Sequence, residues 1–371
     1  MEPSTIIIGA GQAGLAVAHE LEERSVSCVV VDRAEAIGDP WRERWDSLRL
    51  FTPAVHDGLP GLPFPAPPAS LPSKDEFADY LNVYAGTLSA PVHLSTSVTR
   101  VTNAGDRYLV QTSSGLMEAD SVVLATGTHP LPHVPAFATD IAADIRQLHS
   151  SGYSKPDDLP SGTVLVVGSG TSGLQIALDL ARSHDVTVAG RPTPHIPDAI
   201  FRFAGAAYWA LVSHLLTTAT PVGRKVAATF HDRGAPLISV SPGDIDRAGI
   251  MRVARITGTD AGRPVTQDGD VLTPRSIVWA TGYRPNLDWV DGLPLDAHGW
   301  PISIRGVVDA VPGLYTVGFP FQFGLTSGLI GGVGRDAAHV AGAIQSRVYP
   351  PEAIRSDTPT GGTKSDERTG S

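Results

Sequence analysis

The 371 residues suffice for about two domains, and a hydrophobic content of 42% can fill real cores. A net charge of −10 argues against nucleic acid as a partner. The single cysteine, Cys28, excludes an internal disulfide and the dithiol relay of flavoprotein disulfide reductases; no Cys/His cluster points to zinc or iron–sulfur, so no metal is expected.

The first predicted element is a strand that begins by about Thr5. No secretory signal precedes it, which with the lone cysteine gives the expectation of a cytoplasmic protein. The run Ile6-Ile7-Ile8-Gly9-Ala10-Gly11-Gln12-Ala13-Gly14 is an aliphatic strand ending in GxGxxG. Gly9 permits the tight turn, Gly11 lets backbone amides approach a pyrophosphate, and Gly14 lets the next helix pack on the sheet. Phosphates there meet the positive end of a helix starting around Gln12 and Ala13. A helix over Leu15–Arg24 and a strand over Val26–Val31 follow, ending in Asp32-Arg33. A carboxylate at that point accepts hydrogen bonds from a ribose hydroxyl pair, which suits FAD or NAD.

The proline-rich stretch from Pro53 to Pro72 cannot be central sheet or helix and reads as an ordered loop over the ligand. Ser73 caps a predicted helix, Lys74–Ala85. Val92–Val101, Tyr108–Thr112 and Leu116–Ala119 read as a small antiparallel element, and Ser121–Leu124 returns to the main sheet. The turn Ala125-Thr126-Gly127 closes this unit, where backbone passes close to a cofactor or crosses between domains.

A second fingerprint, Val164-Leu165-Val166-Val167-Gly168-Ser169-Gly170-Thr171-Ser172-Gly173, repeats the pattern. One GxGxxG alone is weak evidence. Two in strand–turn–helix context point to two dinucleotides and electrons passed between them. Eighteen residues after Gly14 stands Asp32, and eighteen after Gly173 stands Arg191. A guanidinium can pair with a 2′-phosphate that a carboxylate would repel, so the second site reads as NADPH; the competing reading of Arg191 is a solvated loop residue. The apolar stretch Ala199–Thr217 is interrupted by Arg202 and His214 and is not a membrane span; it reads as a helix covering the substrate side or packed in the core. Ser276–Ala280 and Leu314–Gly318 are expected as returning strands of the first unit, with Thr281-Gly282 repeating the earlier turn. The expected division is a flavin unit over 1–153, a nicotinamide unit over 154–270 with a helical insertion at 198–235, the rest of the flavin unit over 271–349, and a disordered tail over 350–371. The fold class is α/β, with two Rossmann-like dinucleotide-binding domains of three-layer ββα type, the NADPH domain inserted into the FAD domain.

With both fingerprints and both Ala-Thr-Gly turns, the chain resembles the class B flavoprotein monooxygenases, which comprise the flavin-containing monooxygenases, the Baeyer–Villiger monooxygenases and their compact bacterial relatives. The resemblance covers nearly everything to about Arg347. Further residues that carry it are Trp41-Arg42-Glu43-Arg44-Trp45-Asp46-Ser47-Leu48-Arg49-Leu50-Phe51-Thr52, Leu62-Pro63-Phe64-Pro65, His149-Ser150-Ser151-Gly152-Tyr153 and Gly331-Gly332-Val333-Gly334-Arg335-Asp336. One departure is in the family's FxGxxxHxxx(Y/F) fingerprint. His149 and Tyr153 match, but Ala143 and Ile145 replace the Phe and Gly, which weakens a Baeyer–Villiger assignment.

The resemblance implies an NADPH- and O2-dependent FAD monooxygenase that oxygenates a small organic substrate through a C4a-(hydro)peroxyflavin. It places Trp41, Arg49 and Thr52 beside the flavin and the backbone of Val101 against adenine. It also runs Gly318 to Gly334 past the flavin's pyrimidine end, with a helix starting near Thr326. Trp41, Thr52 and Trp209 are the pocket candidates, Phe201 and Tyr208 helping to seal it; no catalytic acid or base is identified. Two other classes stay open, an NAD(P)H-dependent flavin reductase or diaphorase and a non-catalytic flavin-binding protein, as does a homodimer.

Overall fold

The computed structural model of the protein describes residues 3–233 and 236–350. Two five-stranded sheets organise it, and both are wholly parallel. The first runs Leu314–Thr316, Ser121–Leu124, Thr5–Ile8, Cys28–Val31, Val92–His93. The second runs Met251–Val253, Asp185–Ala189, Thr163–Val167, Ser276–Trp279, Arg146–His149. Strands buried on both faces need apolar side chains in both directions, which is why TIII, CVVV, SVVL and SIVW carry no polar alternation.

In the first unit Ile7, Val30 and Val123 face the helices Gln12–Glu22 and Ile330–Val348, packing with Leu15, Leu21, Val333 and Ile344. Ile6, Ile8, Val29, Val31, Val122 and Leu124 face the other way, onto Val101, Tyr108, Val110 and Ala119 of a three-stranded antiparallel sheet. Helix, parallel sheet and antiparallel sheet are the three layers expected. In the second unit Leu165, Val167, Ile277 and Trp279 bury Ile141 and Ile145. Ile145 is therefore a core side chain where the family fingerprint has glycine.

Two expectations on strands need correction. Ser276–Trp279 does not return to the first sheet; it pairs with Thr163–Val167 on one side and Arg146–His149 on the other. Each Ala-Thr-Gly turn closes its own fingerprint's sheet. The amide of Ala125 donates to Ile8 O and that of Ala280 to Val167 O, each at 2.8 Å. The second sheet thus draws strands from both sides of the expected 154–270 boundaries. Val92–Val101 is not one strand either. Ser95 has a positive φ of 50° and turns the chain, so that Val92–His93 ends the parallel sheet and Val98–Asn103 starts the antiparallel one.

The chain crosses between the units at Leu131–Pro132 and Tyr283–Arg284, which pair antiparallel. The insertion forms two helices, Asp198–Leu215 and Pro221–Arg233. Their connection docks back on the first unit, where Thr218 N donates to Phe323 O at 2.7 Å and Leu325 N to Leu216 O at 2.9 Å. No helix among the described residues is long and apolar enough to cross a membrane. The tail expected to be disordered, apart from Pro350, lies outside the described residues.

Candidate functional site

A cleft of about 600 Å³ opens at the carboxyl ends of the first sheet's central strands, where α/β folds bind ligands. The first fingerprint supplies Gly9, Ala10, Gly11, Gln12 and Ala13 to its wall, and Asp32 and Arg33 follow from the next strand. Both oxygens of Asp32 are aimed by backbone, Oδ2 accepting from Ala10 N and Oδ1 from Ala34 N at 2.8 Å. A carboxylate has about four lone-pair sites, so acceptor capacity remains for a ribose diol.

The glycines divide by role. A Cβ on Gly9 would strike Ala125 O, and one on Gly14 would strike Gly9 O. Gly168 and Gly173 repeat this against Ala280 O and Gly168 O. A Cβ on Gly11 or Gly170 would meet nothing within 4 Å. These two positions face open space, and a Cβ there would intrude only on a bound pyrophosphate. That is the cradle a dinucleotide needs, so the residues present fit FAD in the first unit and NADPH in the second.

The cleft also gathers Trp41, Arg49, Thr52, Ala125, Thr126, Gly127 and Gly318. Trp41 packs edge-on to Phe77 at 4.8 Å, and its Nε1 donates to Gln12 Oε1 at 3.5 Å. Arg49 is exposed, donates to Leu71 O at 3.3 Å and lies 3.6 Å from Glu76. Thr52 Oγ1 and Asp57 Oδ1 are hydrogen-bonded to each other. From the second unit Thr171, Ser172 and Gln175 reach the same cleft, so the start of the second fingerprint helix opens onto the flavin site.

Other expected residues lie elsewhere. Gly14 is behind the cleft wall, in helix-to-strand contact. Val101 does not touch the cleft: its amide donates to Trp289 O at 2.8 Å, its carbonyl accepts from Asp291 N at 2.9 Å, and it is 1% exposed. Its backbone is committed to the 289–291 loop, and Ser97 and Val98 line the cleft instead. The last helix begins at Ile330, not near Thr326, because Ser327 Oγ accepts from the amides of Phe323 and Gly324 at 3.0 Å and folds the segment into a turn first. Gly168, Gly170, Gly173 and Arg191 flank the second unit's own turn, where Ser169 Oγ donates to Arg191 O and the Arg191 residue is exposed. Thr281 Oγ1 donates to His133 O, and Gly282 O lies 3.0 Å from His149 Nε2, both at the crossing between units. His149 thus ties a strand to that crossing, and burial holds its imidazole below the usual range.

A side chamber of about 180 Å³ adjoins the cleft at Thr52 and Leu329. Thr326 and Trp209 line it rather than the cleft. Trp209 lies 5.6 Å from the His56 ring and packs with Phe201 and Tyr208.

Sequence reasoning missed three residues. Arg44 lines the cleft and donates to Tyr283 OH at 3.0 Å, bridging flavin unit and crossing; its segment carries the resemblance, which implies no role for it. Gln175 carried no signal beyond its helix. Asp57 is fully buried behind Thr52, and burial pushes its carboxyl up to about 7 against the lowering effect of the Thr52 hydrogen bond. It sits in the proline-rich loop, where nothing marked it.

The family model described as pyridine nucleotide-disulphide oxidoreductase matches residues 6–198. An uncharacterized oxidoreductase, CzcO-like, of Geobacillus kaustophilus is 34% identical over 343 residues, covering 91% of this chain and 97% of that protein. The indole-3-pyruvate monooxygenase YUCCA1 of Oryza sativa subsp. japonica is 30% identical over 382 residues, covering 91% and 90%. Among solved structures, a flavin-containing monooxygenase from Stenotrophomonas maltophilia superposes with a TM-score of 0.78 at 26% identity, covering 94% of this chain and all of that one.

Proposed function

Since the chain belongs to the class B flavoprotein monooxygenase superfamily, as an FAD-dependent monooxygenase that uses NADPH, we propose that it oxygenates a small organic molecule at the expense of NADPH and O2. The observation that carries this reading is the shared cleft: Thr171, Ser172 and Gln175 of the second fingerprint helix line the same cavity as Gly9–Ala13 of the first. Thr171, Ser172 and Gln175 would hold a nicotinamide at the cleft in which Gly9–Ala13 would hold the flavin, so electron transfer between them would need no protein relay. The chain has no pair of cysteines to provide one.

FAD, once reduced, supplies the electrons that activate O2. The protein's own share is positioning and exclusion of water. Gly11 admits the pyrophosphate and Asp32 holds the adenosine ribose. Gly170 does the same work for NADPH, and Arg191 pairs with its 2′-phosphate. Trp41 and Thr52 border the reactive end of the cleft. Arg44, through Tyr283, holds the crossing against the flavin unit. Ala143 and Ile145, where the fingerprint has Phe and Gly, weaken a Baeyer–Villiger assignment without selecting the atom that is oxygenated.

The test is oxygen uptake by purified enzyme with NADPH, with hydrogen peroxide measured separately. Oxygen and NADPH should be consumed one for one, and an accepted substrate should lower the peroxide yield while an oxygenated product appears. NADPH oxidation that proceeds equally well without O2, by reducing an external acceptor, would overturn the reading.

A further inference from the structure

Asp57 is a carboxyl group with no solvent exposure and a single side-chain partner. Its Oδ1 meets the hydroxyl of Thr52, while Oδ2 has no hydrogen-bond partner among the described residues. Thr52 is itself buried yet lines both the flavin cleft and the side chamber beside it. Thr52 therefore stands between a hidden carboxyl and the cleft. A threonine hydroxyl has one hydrogen, and which way it points is decided by its strongest neighbour.

We propose that Asp57 is a positioning residue for the flavin, setting the polarity of Thr52 so that its hydroxyl donates into the cleft when Asp57 carries a proton and turns away when Asp57 is ionised. In the protonated state the Asp57 O–H donates to Thr52 Oγ1, and the Thr52 hydrogen is free to face the cofactor. In the ionised state the carboxylate can only accept, so it takes the Thr52 hydrogen and leaves a lone pair facing the cleft. The proton moves only between Asp57 and solvent; no electron transfer is involved. The inference rests on FAD occupying the cleft beside Thr52, not on the fate of oxygen.

The surroundings favour the protonated state. Burial raises the carboxyl to about 7, and no charged side chain adds to or opposes that. Burial holds the imidazole of His56, on the same turn, below its usual range. On the helix Lys74–Ala85, the Tyr80 hydroxyl is committed to Leu59 N and Leu62 O at 2.6 Å each. On the last helix, Arg335 pairs with Asp336 at 3.4 Å. On the helix Asp198–Leu215, His214 Nδ1 is held by Ala210 O at 2.7 Å and burial raises the Tyr208 hydroxyl. The switch therefore turns in the neutral range and not at the ordinary carboxylate value.

The experiment measures FAD dissociation from the oxidised protein as a function of pH, without NADPH or turnover. Wild type should hold FAD tightly in mild acid and about fivefold to tenfold more weakly above neutrality, the effect of one hydrogen bond. Asp57→Asn, whose amide can always donate to Thr52, should stay tight across the range. Thr52→Val should stay weak across the range, and Thr52→Ser should behave as wild type. Infrared spectra should show a protonated-carboxyl band in wild type that titrates near neutrality and is absent from Asp57→Asn. If Asp57→Asn does not fold, Thr52→Val and the infrared titration decide. Persistence of the wild-type pH dependence in Asp57→Asn or Thr52→Val, or an infrared band that does not titrate near neutrality, overturns the proposal. Failure to bind FAD at any pH would instead strike at the flavin assignment.

Discussion

Gly14 packs so closely on Gly9 that a Cβ at position 14 would enter the carbonyl oxygen of residue 9. At Gly11, three residues earlier, a Cβ would meet nothing within 4 Å. The same motif thus holds one glycine for the fold and another for the ligand, and the two separate by experiment. Gly14→Ala should lower the stability of the apoprotein by about 1–3 kcal/mol through forced displacement of the strand turn. Gly11→Ala should leave apoprotein melting unchanged and abolish FAD retention. A Gly11→Ala protein that purifies with full FAD would show that no pyrophosphate lies there.

Arg191 is exposed, its carbonyl accepts from Ser169 Oγ, and its guanidinium makes no hydrogen bond or ion pair among the described residues. Its removal should therefore be felt by the coenzyme alone. Losing one charge-assisted contact to a 2′-phosphate costs about 1.5–3 kcal/mol, or about 10- to 100-fold. Arg191→Ala should raise KM for NADPH by that factor and leave NADH nearly untouched. Steady-state kinetics with both coenzymes decide, and an equal loss with each would assign Arg191 to structure.

The parts legible in the sequence are those where local geometry forces a residue type. GxGxxG could be read because Gly9, Gly14, Gly168 and Gly173 have no room for a side chain. Asp32 could be read from its distance to the turn. Sheet membership could not: SVVL at Ser121–Leu124 and SIVW at Ser276–Trp279 are equally apolar and fully buried, and only the partner strand tells them apart. Val101 illustrates another limit, since its backbone is claimed by a loop nearly two hundred residues away in sequence, with Trp289 and Asp291. Asp57 is hidden for a third reason. A carboxylate in a proline-rich loop gives no sign of burial; the burial appears only in the fold, where Gly58 packs on the Pro63–Phe64 backbone and Gly331 of the last helix on the His56 carbonyl.

That burial has a consequence for stability. Asp57 titrates at about 7 in the folded protein against 3.8 for the free side chain. The folded state keeps the proton where the unfolded chain has lost it, so the contribution is full below the unfolded value and falls as pH rises through the folded one. One pKa unit is about 1.4 kcal/mol, so the loss is on the order of 4 kcal/mol. Apoprotein melting should fall between about pH 4 and about pH 7 and level off above, and Asp57→Asn should flatten that slope. An unchanged slope in Asp57→Asn would assign the pH dependence to other groups.

Trp209 is 5% exposed, walls the side chamber next to Thr52, and its Nε1 has no hydrogen-bond partner among the described residues. Its contribution is therefore bulk rather than polarity. Trp209→Phe should leave coupling of NADPH oxidation to oxygenation close to wild type, since most of the aromatic bulk is kept. Trp209→Ala should open the chamber to water and raise the fraction of oxygen released as hydrogen peroxide. Buried Trp→Ala changes cost about 3–5 kcal/mol, so the comparison is made below the lowered melting temperature, with FAD occupancy checked first. A Trp209→Ala enzyme that retains its FAD and shows no extra peroxide would mean that the helix Asp198–Leu215 does not keep water from the reacting centre, and that the chamber lies outside the oxygenation site.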